Sequence, residues 1–438
     1  MPELVLTHEE LYEAWPALSS EEQLDGFVLL AYADAEVLFF ELDARDQADL
    51  IAHLPEPQQR LWMRLLEPDD AADVVQEAAE EQREKLLNLL DGPTRKEVTV
   101  LLAYAEDEAG GLMNPRYVRL RPEMSTDEAF SYVRRQTGER IENIYYAYVL
   151  DNQQRLLGVV SLRQLFAAAR DKKVRDVMRS ELVTVPEQMD QEEVSHLIAQ
   201  HDLMALPVVD DEGRMKGIVT VDDIVDVVQE EATEDMHKIG GTEALEAPYL
   251  QVALPEMLKK RVGWLAALVM LGFLTVLAMR HFKDQLDQAL VLALFVPLII
   301  SSGGNSGSQA ATLVVRAMAL GEVRLRDWWR VIRRELAVGF GLGSVMGTIG
   351  LATTLVWQAS FVSHGGEHQF LVALTVACAI LAVALWGTLV GSMLPFVLRA
   401  FGFDPASASA PLLSTLVDAS GLMIYFTIAT VVLRGTVL

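Results

Sequence analysis

The sequence predicts a multi-domain membrane protein: an all-α helical solenoid, a tandem α/β pair, then a five-helix transmembrane domain. Three observations predict this. Charge is split end to end, since residues 1–260 hold 54 Asp and Glu against 25 Lys and Arg, whereas residues 261–438 hold 8 against 11. Five runs without Lys, Arg, Asp or Glu fill the second part, at 263–279, 288–315, 336–366, 368–398 and 405–433, the last broken only by Asp418. Two internal repeats of different period fill the first part. The expected organisation is therefore 1–112, 113–235, a linking helix over 236–261, and the spans from 262 to 438.

The solenoid follows from a repeat of twelve. Leu30, Leu42, Leu54, Leu66, Ala78 and Leu90 fall in register, as do Leu50, Trp62, Val74, Leu86 and Val98. Turn-capable residues follow many of the first set: Asp43, Pro55, Glu67-Pro68, Asp91-Gly92. Twelve residues make one short helix and a turn, so stacked helices are expected over about 20–105, with an irregular helical bundle as the alternative.

The α/β pair follows from a longer repeat. Met113 and Met124 are spaced as Met178 and Met189 are, and Tyr148-Val149-Leu150-Asp151 matches Pro207-Val208-Val209-Asp210. Each Asp is followed by a glycine that opens a strand, at Gly158-Val159-Val160-Ser161 and Gly217-Ile218-Val219-Thr220. Each copy reads as helix, apolar strand, turn, short strand, helix. Two such copies resemble a CBS-domain pair, the second (ALPVVDDEGRMKGIVTVDDIVDV) more closely than the first. The resemblance implies that the pair can bind an adenine nucleotide, with Thr220 and Asp223 at the ribose and phosphate; Ser161 is followed by Gln164, which cannot supply the acid. A structural or cation-sensing pair is the alternative.

Each of the five apolar runs is long enough to cross a bilayer, which takes roughly 20 residues and at least about 17. Lys259, Lys260 and Arg261 precede the first, and Arg316, Arg324, Arg326, Arg330, Arg333 and Arg334 lie between the second and third. Basic residues stay on the cytoplasmic side. The segment from Ser360 to Gln369 has no Lys or Arg and faces out; Arg280 and Lys283 run against the rule. The expectation is a multi-pass protein of a bacterial-type inner membrane, N-terminus cytoplasmic and C-terminus outside. No signal peptide is read from MPELVLTHEE.

Composition removes other classes. A region at net −29 repels phosphate, so nucleic acid is not an expected partner. A single cysteine, Cys378, excludes a disulfide framework and a cysteine zinc site.

Two features carry chemistry. Asp418 is the one carboxylate inside the apolar runs. A carboxylate at the bilayer centre costs at least about 2.5–3.5 kcal/mol, so such a group lines a cavity or ion path. Pro297–Gln309 (PLIISSGGNSGSQ) places small polar residues and three glycines within an apolar run. A broken helix there would expose carbonyls beside a cavity, offering hard oxygen ligands suited to Mg2+ or its water. Close helix packing through small residues is the alternative.

PLIISSGGNSGSQAATLVVRAMALGEV and DPASASAPLLSTLVDASGLMIYF resemble the MgtE family of magnesium channels, as does the order of solenoid, CBS pair, linking helix and five spans. The resemblance implies a homodimer with its pore on the two-fold axis. Asp418 from each chain would be the selectivity carboxylate, with carbonyls near Ser301 and Gly304 and polar groups of Asn305, Ser308 and Thr312 around the hydrated ion. Ser301 stands where the family pattern leads to glycine. Residues about 240–260 would form a plug helix. Cytosolic Mg2+ would hold the channel shut at Asp190, Glu192, Asp202, Asp223, Asp226, Glu231, Glu234 and Asp235, with Asp69 and Asp70 in the solenoid; ATP at the CBS pair is a possible second ligand.

The leading expectation is thus a Mg2+-selective uptake channel gated by cytosolic Mg2+, and not an enzyme. The first rival is a secondary transporter of another divalent ion such as Co2+ or Mn2+, which soft ligands would favour, but the pore segments hold no Cys or His. The second is an intramembrane aspartyl protease, which needs two acids within the spans. No HExxH, GxSxG or GxxxxGK[ST] pattern occurs.

Overall fold

The computed structural model describes residues 7–136, 145–245, 249, 252–283, 290–361 and 369–434. By internal contacts the chain divides into Met1–Glu231 and Ala232–Leu438.

The first unit begins with eight short helices: α1 His8–Ala14, α2 Ser20–Leu29, α3 Tyr32–Glu41, α4 Ala44–His53, α5 Glu56–Met63, α6 Pro68–Glu77, α7 Glu80–Leu89 and α8 Gly92–Leu101. The twelve-residue repeat is a helix of about ten residues and a two-residue turn. Leu42, Leu54, Ala78 and Leu90 are the residues that end their helices, each extended at ψ 144 to 156° and each buried. The next residue opens the following helix, and Asp43 and Asp91 do so by accepting the Asp46 and Thr94 amide protons. Alternate helices pack together, α2 on α4, α4 on α6, α6 on α8. The second register, Leu50, Trp62, Val74, Leu86 and Val98, fills the core between them.

The rest of this unit is two copies of one α/β pattern. After α9 (Ala109–Leu112), the first contains β1 Val118–Leu120, α10 Thr126–Gln136, β2 Tyr146–Leu150, β3 Leu156–Ser161 and α11 Leu162–Ala167. The second contains β4 Val185–Pro186, α12 Gln191–His201, β5 Ala205–Val209, β6 Met215–Thr220 and α13 Val221–Ile239. In each, the first strand pairs parallel to the second and the second antiparallel to the third, with a register shift at the same place. The copies exchange their leading segments. Asn114 bridges Ile218 of the second, while Arg179 bridges Val159 of the first. The two glycines of the repeat permit this approach. A Cβ at Gly217 would lie 2.8 Å from Asn114 O, and one at Gly158 2.6 Å from Met178 Sδ.

In the second unit, α13 ends at a glycine pair. Gly241 is left-handed at φ 75°, and the Thr242 amide closes on His237 O at 3.0 Å. Of the plug helix expected over about 240–260, residues 240–245 are not helical, 246–248, 250 and 251 lie outside the described residues, and 254–260 are the first turns of the helix Leu254–His281. Glycine ends a helix where the chain must turn left-handed, and Gly240-Gly241 sits inside the expected segment.

The spans are α14 Leu254–His281, α16 Val296–Ala319 (preceded by α15, Leu290–Ala293), α17 Trp328–Phe361, α18 Gln369–Ala400 and α19 Ala410–Val432. Five helices are thus long and apolar enough to cross a membrane. The central helix is α18, against which α16, α17 and α19 all pack. Glycines set these crossings. Gly303 and Gly307 of α16 meet Gly387 and Gly391 of α18 backbone to backbone, so that a Cβ at Gly307 would lie 2.8 Å from Gly387 O. Gly343 and Gly347 of α17 approach Leu381 O and Ala377 O of α18 in the same way.

Gly307→Ala drives a methyl into backbone that has no rotamer by which to yield. The expected loss is about 1–3 kcal/mol, read as a lower thermal midpoint of the purified protein. Gly341→Ala meets nothing within 4 Å, and its midpoint should hold or rise, because alanine favours helix over glycine.

Candidate functional site

Two constellations come from the structure, one in each unit.

In the membrane unit, Pro297–Gln309 is not a broken helix. It lies within the continuous α16, so its backbone carbonyls are engaged in the helix. The glycines serve packing instead, and this decides which face of α16 remains uncovered. Gly303, Gly307, Ala310, Ala311 and Val314 are buried. Ser301, Asn305 and Thr312 are exposed and Ser308 is half-buried. These four positions recur at helical spacing and form one polar stripe. Asn305 Nδ2 donates to Ser301 Oγ at 3.3 Å, and Thr312 Oγ1 donates to Ser308 O at 3.0 Å.

Asp418 stands on the helix beside that stripe. Gly304 faces Ser414 of α19, where a Cβ would lie 3.1 Å from Ser414 Oγ, and Asp418 follows Ser414 by one turn. Asp418 is partly buried and accepts no hydrogen bond or ion pair among the described residues. Tyr425 fixes the same helix further along, its hydroxyl donating to Leu292 O at 2.9 Å. A carboxylate and a row of hydroxyl and amide oxygens thus flank one helix contact, presenting hard oxygen ligands and no nitrogen or sulfur ligand.

In the first unit, α6 and α13 bring carboxylates together. Asp69 is buried, and desolvation with the charges of Asp70, Asp223 and Glu67 pushes its carboxyl well above the ordinary range. Desolvation with Asp70, Glu106 and Asp223 pushes Asp73 up to about 8. Asp223 rises to about 7 by desolvation, against the lowering bonds from Thr220. Asn114 holds part of the cluster with its neutral amide, Nδ2 donating to Glu67 and, at 3.2 Å, to Asp69 Oδ1.

Of the residues proposed from the sequence for the cytosolic side, Asp69, Asp70 and Asp223 are brought together here. Asp226, one turn beyond Asp223, is exposed. Asp190, Asp202, Glu231 and Glu234 have local structural work, and Glu192 lies in the first turn of α12. Asp190 caps α12 by accepting the Glu192 amide proton, and Asp202 ends that helix left-handed at φ 51°. Glu231 accepts from Gln191 Nε2 at 2.6 Å. Glu234 pairs with Lys238 at 2.5 Å, and Lys238 also reaches Asp404 at 2.6 Å. Asp235 lies partly buried on the same helix. Thr220 Oγ1 donates to Asp223 Oδ2 at 2.7 Å, repeating the Ser161–Gln164 cap of the first copy. Sequence reasoning passed over Asp73, Glu67, Glu106 and Asn114. The signal for Asp73 was present, since Asp69 and Asp73 are one helical turn apart. Among the described residues no three His, Cys, Asp or Glu close on a point that would hold a bare ion.

Comparison with known proteins covers both units. The model of the MgtE divalent cation transporter matches residues 296–428, that of the MgtE intracellular N domain 6–107, and that of the CBS domain 109–171 and 174–230. The chain is 39% identical over 430 residues to the magnesium transporter MgtE of Thermus thermophilus, covering 98% of this chain and 93% of that one. It is 31% identical over 409 residues to the magnesium transporter MgtE of Bacillus subtilis, covering 92% and 86%. A solved structure, the cytosolic domain of the Mg2+ channel MgtE in complex with ATP, is 41% identical with a TM-score of 0.47, covering 50% of this chain and 90% of that one.

The raised carboxyls of the first unit fix a pH dependence. A carboxyl whose pKa is higher folded than unfolded contributes stability while protonated and loses it as pH rises from the unfolded value, about 3.9, through the folded one. Without metal, the thermal midpoint of the first unit should fall between pH 6 and pH 9, across the values near 7 and 8 of Asp223 and Asp73. Asp73→Asn should raise the midpoint at pH 9 by about 3 °C or more, by roughly half as much at pH 6, and change it little near pH 4. A midpoint flat across this window, in buffers of equal ionic strength, would show that the carboxylates are not crowded.

Proposed function

The chain belongs to the MgtE family of divalent cation transporters, a multi-pass membrane transporter with five candidate spans, and on that footing we propose that it is a Mg2+-selective uptake channel closed by cytosolic Mg2+. The observation that carries this reading is the uncovered polar stripe Ser301–Asn305–Ser308–Thr312 on α16, set beside Asp418 on α19 in otherwise apolar helices. Polar side chains facing lipid are costly, so the stripe calls for a second copy across a water-filled path. Two chains would then present two Asp418 carboxylates to one passage. Mg2+ sheds water reluctantly and is held through one or two carboxylates with its hydration shell largely kept, which suits hydroxyl and amide oxygens that hydrogen-bond to that water. Softer ions would gain nothing from a wall without Cys or His.

The membrane potential supplies the drive. About 2.3 kcal/mol per charge per 100 mV gives roughly 4.6 kcal/mol for a dication. The orientation is N-terminus inside and C-terminus outside, by the arginines between the second and third spans.

Closure belongs to the acid cluster of Asp69, Asp70, Asp73 and Asp223. Like charges about 4 Å apart repel by roughly 4 kcal/mol at an effective dielectric of 20. Mg2+ offsets that repulsion only where the acids are assembled, so it favours the assembled arrangement. The end of α13 is the mechanical link. Lys238 pairs with Asp404 in the turn before α19, and Ile239 packs with Val315 of α16, Ala406 and Ala408. Movement of α13 thereby reaches both pore-side helices. A nucleotide such as ATP at Thr220 and Asp223 would act through the same cluster, because Asp223 would exchange its bond to Thr220.

Two experiments test this reading. Asp418→Ala in proteoliposomes should abolish selective Mg2+ influx while the protein keeps the mass of the native assembly; normal Mg2+ influx by that variant sinks the pore assignment. A chain lacking residues 1–231 should conduct without closing as Mg2+ rises on the cytosolic face. If it still closes, the sensor lies in the membrane unit.

A further inference from the structure

The chain's most basic short segment plays no part in the ion path or the gate. Arg324, Arg326, Arg330, Arg333 and Arg334 lie between α16 and the first turns of α17, and all five are exposed. Arg330 reaches Asp327 at 3.1 Å but its side chain stays 86% exposed. Arg326, Arg333 and Arg334 make no ion pair among the described residues. Trp328 and Trp329 stand among them, 49% and 54% exposed, their rings 5.6 Å apart at 65°.

The length of α17 places these groups at a membrane surface. Its 34 residues span about 51 Å, against a hydrocarbon core of about 30 Å. The part from Leu336 to Phe361 carries no Lys, Arg, Asp or Glu and fills the core, so the turns before Leu336 project into the headgroup layer. Beyond the arginines the same helix exposes Leu336, Val338, Phe340, Leu342 and Val345.

We propose that the start of α17, from Arg326 to Arg334 with Trp328 and Trp329, is a binding site for anionic phospholipid. The chemistry of the surface selects that occupant. A guanidinium fork matches the oxygens of a phosphodiester in two parallel hydrogen bonds. Indole rings sit at headgroup level, with an apolar body and a polar N–H. An acyl chain then continues along the exposed apolar turns that follow. A soluble acidic protein would match the arginines but not those turns, and a free phosphate would match neither the turns nor the tryptophans. The ligand is therefore one molecule with an anionic head and a hydrocarbon tail.

The test uses the full chain in phosphatidylcholine vesicles containing a small fraction of bromine-labelled phosphatidylglycerol or bromine-labelled phosphatidylcholine. Bromine quenches nearby tryptophan, and the contribution of this pair is what disappears in Trp328→Phe/Trp329→Phe. The expected result is stronger quenching of the pair by phosphatidylglycerol, with Arg333→Gln alone weakening that preference about fivefold and Arg330→Gln/Arg333→Gln/Arg334→Gln abolishing it. The single variant decides the matter if the triple one does not fold. Equal quenching by both lipids in the native chain, or an unchanged preference in the variants, overturns the site. Displacement of the lipid by excess soluble glycerol phosphate overturns the lipid as occupant in favour of a free phosphate.

Discussion

The membrane unit depends on one close approach, the backbone contact of Gly303 and Gly307 with Gly387 and Gly391. In lipid no hydrophobic force draws one apolar helix to another, so association rests on van der Waals fit and on interhelical hydrogen bonds. Four absent side chains allow that fit. They bring Ser306 Oγ and Thr388 Oγ1 to 2.5 Å in the buried seam, where a polar pair satisfies itself. They also fix the rotation of α16. With its glycine face committed to α18, its serine, asparagine and threonine face is left exposed or half-buried among the described residues. The packing constraint and the polar stripe are two faces of one helix, and neither can be moved without the other.

The first unit is organised by the opposite kind of interaction. Its solenoid and its second α/β copy share one apolar core, from Leu11 to Val227, yet α6 and α13 carry like charges into the same place. Burial and mutual repulsion both raise the Asp69 and Asp73 carboxyls. Hydrophobic burial holds together what electrostatics would separate. A balance of that kind is easily tipped by a proton or by a divalent cation, which is the physical condition for a sensor. The α/β copies supply stiffness, because each lends its leading segment to the other, through Asn114 and Ile218 in one direction and Arg179 and Val159 in the other.

Much of this was legible in the sequence. Charge partition, the five apolar runs and the two repeats are properties of composition and period, which survive without coordinates because burial imposes them residue by residue. Leu42, Leu54 and Leu90 recur every twelve residues because each ends a helix and enters the same core. Asp418 stood out because a lone carboxylate in a bilayer span demands a reason. The tertiary structure decided what depends on the relative placement of distant segments. It showed that Gly303 and Gly307 close a helix contact rather than open a break, since the partner glycines lie some eighty residues away on another helix. It ended α13 at Gly240-Gly241, where a left-handed turn wins over helix continuation. It gave Asp190 and Asp202 to helix ends and drew Asp73 into the cluster with Asp223. A sequence shows which side chains are charged, small or apolar. Which of them meet is set by long-range packing, and the ionisation of a carboxylate and the use of a glycine are both consequences of that meeting.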